Sequence, residues 1–317
     1  MMKKVLKLAG MASVAGLVGF ASNVRAQEHH ARESEYPAAL WAKPISNPVY
    51  TDLAIQKSEI NTVYIYNAMP SHVDIGGANY DLDGEFHAFA VQAEIPLMDK
   101  LSFVADKSGA IIFRPDDEMG LFDSTEGLTN LAAGLKYAFY EDEKIAAAVR
   151  GTVELPTGDT EVFQGNGDGS FSPALLLTHF GQGFALNGVV GANLPFDSSE
   201  LSTMGYAAVS GACKVTDKLS GHLELNWFRV LEAGHGETDF NDLGQGTHNI
   251  LPFEGGDLIN LGATDSEKHP DFVSLAVGAR YQITDRVNVG VAYEQPLSTK
   301  DRGLMGERVT VDLGMTF

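Results

Sequence analysis

The last ten residues, Arg308 to Phe317, constrain the fold more than any other stretch. Val309, Val311, Leu313, Met315 and Phe317 fall on one face of an extended strand; Arg308, Thr310, Asp312, Gly314 and Thr316 fall on the other. A period of two with one wholly apolar face is the pattern of a half-buried strand. Ending on an aromatic residue, it reads as the closing strand of a transmembrane β-barrel, with its apolar face to lipid and its polar face to the lumen.

The pattern recurs through most of the chain. Candidate strands lie near 59–68, 84–97, 101–113, 128–140, 145–156, 169–180, 184–195, 204–215, 219–231, 271–283, 287–297 and 308–317, giving the even number that a single-chain bacterial barrel uses. Links near 99, 142, 182, 217 and 285 are tight, whereas those at 69–83, 114–127, 157–168, 196–203, 232–270 and 298–307 are long. Short turns on one rim and long loops on the other distinguish an outer-membrane barrel from a soluble sandwich. The expected fold is therefore all-β, an antiparallel up-and-down transmembrane barrel of about 12 strands over 59–317, in the cell outer membrane. Two strands are less regular. Residues 60–66 mix apolar and polar side chains on both faces, and Pro173 predicts a bulge or bend.

Residues 1–26 read as a secretory signal peptide, with Lys3, Lys4 and Lys7 ahead of an apolar core and Val24-Arg25-Ala26 as its cleavage site. Residues 27–58, broken by Pro37, Pro44 and Pro48, read as an irregular periplasmic N-terminal segment, either free or tucked into the barrel mouth. The formal charge of −20 argues against nucleic acid as a partner, because phosphates need a basic surface. Cys213, the one cysteine, forms no internal disulfide and no cysteine zinc site, and it falls on the lipid face with Val209 and Val215. No cofactor or metal is expected. Asn79 to Gly84 imitates the opening of a calcium loop but has Ala90 where the last acid is needed, so it reads as an Asx-rich turn. Gly165 to Gly169 lacks a phosphate-loop spacing and reads as a flexible loop, and the acidic 232–270 loop reads as a partial lid.

Alternation places Lys136, Arg150, Glu154, Glu224, Arg280, Glu294, Arg308 and Asp312 on the lumen face, with Lys214 beside them. Charges facing lipid would cost several kcal/mol each, so the lumen is where they belong. They are the candidate channel-lining residues, setting a field that tunes selectivity, unless they neutralise one another and fill a narrow interior. No GxSxG or HExxH occurs, and the His-x-Ser-Asn-Gly signature of a twelve-stranded lipid hydrolase is absent, so no catalytic residue is expected.

Gly127 to Tyr137 resembles a GxxDxxLGxKY strand, and Ala148 to Asp159 resembles a strand ending in Leu-Pro-Thr-Gly-Asp; Gly165 to Leu177 follows as a Gly-rich loop and next strand. These are motifs of the outer-membrane transporter family named for the MetA pathway of phenol degradation. The resemblance covers roughly Gly127 to Phe317, with Asn130 where that family often has Asp. It implies a barrel passing small molecules, hydrophobic or aromatic ones included; phenol itself does not follow, because the family name rests on gene context. The expected function is an outer-membrane channel. The alternatives are a closed structural or adhesive barrel with acidic loops, and an outer-membrane lipid hydrolase. The expected partners are outer-membrane lipid and lipopolysaccharide, a small-molecule solute, and the barrel-assembly machinery through the strand ending in Phe317.

Overall fold

In the computed structural model, the structure describes residues 39–75, 78–117, 124–234, 254–263, 266–267, 270–298 and 303–317. The expected signal peptide and most of the 232–270 loop lie outside these residues. One short helix, α1 (Ala39–Ala42), precedes the strands β1 (Glu59–Ala68), β2 (His72–Ile75), β3 (Ala78–Met98), β4 (Leu101–Lys107), β5 (Gly109–Asp117), β6 (Thr125–Leu128), β7 (Leu131–Glu141) and β8 (Ile145–Leu155). The chain continues through β9 (Ser170–Gly181), β10 (Phe184–Pro195), β11 (Thr203–Lys214), β12 (Leu219–Glu232), β13 (Asp271–Thr284), β14 (Val287–Pro296) and β15 (Glu307–Thr316).

Each strand pairs antiparallel with its neighbours, and β1 closes the ring. It pairs with β15 from Glu59↔Thr316 to Ala68↔Glu307, and with β3 from Glu59↔Glu94 to Ala68↔Glu85. β4 and β5 are two halves of one wall strand, as are β6 and β7, and β2 only extends β3 beyond the rim. Twelve strands therefore circle the barrel, as the alternation predicts. Closure removes every free edge, the condition for a sheet to sit in lipid.

The side-chain period places large apolar groups outside. Val149, Val153, Leu175, Leu177, Val209, Leu223, Val277, Val291, Leu313 and Met315 are all exposed, with Tyr137, Phe139, Tyr281 and Tyr293 at girdle positions. An apolar surface of this extent is stable against hydrocarbon and not against water. Cys213 is exposed on this face.

Two local expectations change. Asn79 to Gly84 is not a turn but part of the long β3, where Gly84 takes φ +110°. Pro173 causes no bulge: the register to β10 is the same on both sides, and only the pairs opposite Ala192 and Asn193 drop out, because proline offers no N–H. Lys214 keeps the lumen parity of Ser220, its partner across the ladder, but at the rim end of β11 it is exposed, 2.9 Å from Asp217 in the following turn. As its sequence indicates, β1 carries polar and apolar side chains on one face, Asn61 and Asn67 inward alongside Val63 and Ile65. Val63 and Ile65 point inward and join Leu82, Phe86, Ile111 and Phe113 in an apolar crescent under the long-loop mouth.

Candidate functional site

The barrel is not empty. The stretch between α1 and β1, expected as a periplasmic segment, packs into the lumen, where Ile45, Leu53 and Ala54 are fully enclosed. It enters beside β10–β13, where Ser220 Oγ donates to the Trp41 carbonyl and Asn187 Nδ2 to that of Ala42. It crosses the barrel at Pro48–Tyr50 and returns down the opposite wall to Ser58, whose carbonyl accepts from Phe317 N at 3.1 Å.

Wall charges at this level hold the plug. Glu224 accepts from Ile45 N (2.8 Å), Ser46 N (2.9 Å) and Ser46 Oγ (2.7 Å). Arg150 Nη2 donates to the Val49 and Tyr50 carbonyls at 3.3 and 2.8 Å, fixing the crossing. Lys136 reaches Asp52 and Glu94, both at 2.6 Å, and donates to the Leu53 carbonyl. Asp52 also pairs with Lys57 at 2.9 Å, and Glu59 joins Lys57 to Lys43 at 3.0 and 2.6 Å. Arg280 pairs with Asp312 at 2.8 Å and donates to the Lys43 carbonyl and to Asn288. A glycine makes room for this pair, since a side chain at Gly290 would meet both partners.

At the apex the Tyr50 ring stacks on Tyr206, centroids 4.1 Å apart. Tyr206 lies in space left by Gly191, where a Cβ would fall on its ring.

Above the plug, two loops close the lumen. In the link between β12 and β13, residues 254–263 fold inward. Glu254 accepts from Ser202 Oγ, Leu261 N (2.7 Å) and Ala263 N (2.8 Å), while burial pushes its carboxyl up to about 7. Asp257 on the same loop pairs with Arg308 at 2.8 Å, and Arg308 lies 3.9 Å from Glu294. The second loop, 156–169, packs inward, its Gly165–Gly169 stretch included. It forms a 3-10 turn at Thr160–Val162 that buries Val162, and Phe163 packs edge-on against Phe113 at 5.3 Å. Gly165, Gly167 and Gly169 take φ of 74°, 65° and 95°, a left-handed path that an L side chain would resist.

Asn130 ties this second loop down. Its Oδ1 accepts from Gly158 N (3.1 Å) and Gly165 N (2.7 Å), and its Nδ2 donates to Glu154 at 2.7 Å. Its own N–H donates to Gln164 Oε1, and Gln164 Nε2 donates to the Leu258 carbonyl of the other loop at 3.1 Å. Lys107 completes the joint, 2.8 Å from Glu154 and donating to the same Leu258 carbonyl at 2.9 Å.

The eight sequence-derived candidates thus gather at two levels inside the barrel. Lys136, Arg150, Glu224, Arg280 and Asp312 meet the plug or one another at the lower level; Glu154 and Arg308 serve the loops above, and Glu294 accepts from the wall residues Asn226 and Ser274. Sequence reasoning missed Tyr50, Asp52, Asp106, Lys107 and Asp257. The first two lie in a segment without period, and Asp257 lies on an irregular loop. Asp106 and Lys107 are adjacent in sequence, so strict alternation forbids both from facing inward.

One cluster imitates a hydrolase. Ser220 Oγ lies 3.0 Å from His222 Nε2, and His222 Nδ1 lies 3.8 Å from Glu224. The carboxylate is already bonded to the plug, 3.8 Å is too long for a hydrogen bond, and the Ser220 hydroxyl donates to the plug at Trp41. The row docks the plug, its serine and its carboxylate both engaged by residues 41–46.

A solved structure, an outer membrane channel from Pseudomonas putida F1, superposes with a TM-score of 0.55 at 15% identity, over 83% of this chain and 96% of that one. The fold is that of an outer-membrane β-barrel. The NanC and KdgM porins align less closely, each with a TM-score of 0.47, at 8% and 7% identity, and add no argument. No protein-family model and no curated protein matches the chain, so the local likeness to the phenol-pathway transporters stands on its motifs alone.

Proposed function

We propose that the protein is an outer-membrane channel for small molecules, closed at rest by its own N-terminal segment and performing no chemistry. The observation that carries this reading is the identity of what fills the lumen. In a barrel sealed for structural purposes, wall charges would neutralise wall charges. Here, besides wall–wall pairs such as Lys136–Glu94 and Arg280–Asp312, Lys136, Arg150 and Glu224 bind a segment that, among the described residues, is covalently joined to the wall only at its Ser58 end. Such a filling can leave without unpairing a single strand. The local family likeness adds hydrophobic and aromatic solutes to the candidates, whereas the charged lower level favours polar ones.

A reversible lock on the plug tests this. Ser46 Oγ accepts from Asn226 Nδ2 at 2.9 Å, so cysteines at these two positions place one thiol on the plug and one on the wall. In a planar bilayer the full unlocked chain is expected to give discrete openings. The oxidised double variant is expected to stay silent and to recover on reduction, with heat-modifiable gel migration confirming a folded barrel throughout. A folded, unlocked chain that never conducts, or a lock without effect, removes the gated-channel reading.

A further inference from the structure

The wall from β3 to β8 differs from the rest of the lumen. The register between β4 and β7 shifts between Ala105 and Lys107, a bulge with Asp106 as the extra residue. Bulges re-aim side chains, and this one turns two consecutive charged residues inward. Asp106 lies 3.7 Å from Arg150, and Lys107 lies 2.8 Å from Glu154. Both pairs reach from β4 to β8 across the small residues Ala132 and Gly134 of β7. The sign order is reversed between them: acid on β4 and base on β8 below, base on β4 and acid on β8 above.

Each pair lines one of two cavities, separated by the plug's crossing at Tyr50. Asp106 and Arg150 line the lower cavity with Asn61 and Gln92; Lys107 and Glu154 line the upper one with Asn166, Asn193 and Asp257. Both cavities hold buried polar atoms without a hydrogen-bond partner among the described residues. Below, these are Asp106 Oδ2, Asn61 Oδ1 and Arg150 Nε; above, Asp257 Oδ2, Asn193 Oδ1 and Asn166 Nδ2. Arg150, Asn61, Asn193, Asn166 and Asp257 are all more than nine-tenths buried. Each cavity therefore offers two free acceptors and one free donor. The lower pair is too far apart to hydrogen-bond, which leaves an anionic and a cationic group side by side with open valences. An apolar solute would strand these atoms, and a singly charged one would meet a repelling group beside its partner. A group of each sign on one small molecule satisfies both.

We propose that solute moves along the β3–β4–β7–β8 wall, and that the Asp106–Arg150 and Lys107–Glu154 pairs are its specificity filter for small zwitterions carrying an ammonium and a carboxylate. The inference rests on the channel reading and names the solute class of that same path.

The test is swelling of liposomes that contain the full chain, in four probes of similar size: alanine as zwitterion, lactate as anion, propylammonium as cation and 1,2-propanediol as neutral. Alanine is expected to enter several-fold faster than lactate or propylammonium. Lys107→Gln with Glu154→Gln is expected to erase that preference, read as the ratio of alanine entry to lactate and propylammonium entry, whatever the loosened loops do to the entry of all four probes. Asp106→Asn, which keeps the upper level intact, serves as an independent variant with the same expected loss, and Arg229→Gln on the outer wall is the control. Entry of propanediol without preference for alanine, or a preference that survives both filter variants, overturns the filter and leaves the channel standing. Entry of none of the four overturns the channel reading and the filter with it.

Discussion

The lower and upper halves of the lumen are closed in different ways. Below, a chain segment is held by buried charged wall groups: Lys136 on Asp52 and the Leu53 carbonyl, Arg150 on the Val49 and Tyr50 carbonyls, and Glu224 on Ile45 and Ser46. Above, two loops are held through the amides of Asn130 and Gln164 and the Leu258 carbonyl, with the Lys107–Glu154 and Arg308–Asp257 pairs beside them and an apolar crescent at their back. Removing one partner from a buried ion pair strands the other, whereas losing one amide contact leaves its neighbours in place. The plug should therefore release as a unit, and the loops should loosen piecemeal.

The largest expected effect is at Lys136. Lys136→Met leaves Asp52 with one cation and Glu94 with none of its own, a cost of about 3–5 kcal/mol. Protease cleavage within 43–57 should appear while the barrel remains heat-modifiable. Continued protection would show that the lower half does not act as one ionic unit. Next comes Gly191→Ala, which pushes into Tyr206 and through it into Tyr50, at about 1–3 kcal/mol. Gly188→Ala on the same strand meets open space and should be silent, so equal thermal shifts for the two variants would break the link between wall and plug apex.

In the upper half, Asn130→Asp sets a second carboxylate against Glu154, where the amide now donates at 2.7 Å. The expected loss is about 1–2 kcal/mol, read as faster proteolysis of the 157–168 loop, with rescue by Glu154→Gln. Without that rescue, the pairing of Asn130 with Glu154 would not be the cause.

The smallest effect is the titration of Glu254. Its folded value of about 7 stands above the ordinary 4.5, so the packed loop holds its proton more tightly than the open one. Loop stability should be greatest near the lower value, fall as the pH rises towards about 7, and level off above it. Loop proteolysis followed against pH checks this, and Glu254→Gln should flatten the profile. An opposite slope would mean that the carboxylate, with its three donors, is the form the loop prefers.

Much of the architecture was legible because alternation is enforced twice, by lipid outside and by polar groups inside. Arg150, Glu224, Arg280 and Asp312 sit on strands where both faces are clear, and parity alone turns them inward. Parity fails where the strand itself departs from it. Asp106 and Lys107 both point in because a bulge resets the count, and nothing in Ala105-Asp106-Lys107-Ser108 announces a bulge. The plug was illegible for another reason: its order comes from groups more than a hundred residues away, Glu224 on Ser46 and Thr178 on Ala54 among them. Leu155 to Asp159 was recognisable as a motif, but its work as the hinge of an inward loop depends on Asn130 from the neighbouring wall strand. The same contact suits an amide at this position: with Glu154 opposite, Asn130 is accommodated where a second acid would be repelled.

The strand that closes the ring is also the strand that carries the plug. β1 forms the seam with β15, and Ser58, the last residue before it, accepts from the N–H of Phe317. The two ends of the wall therefore meet at the base of the segment that fills it. Contacts of such long sequence separation form late, because the loops they close are costly in entropy. On the gated-channel reading, sealing the seam would then bring the base of the plug into place in the same step of assembly.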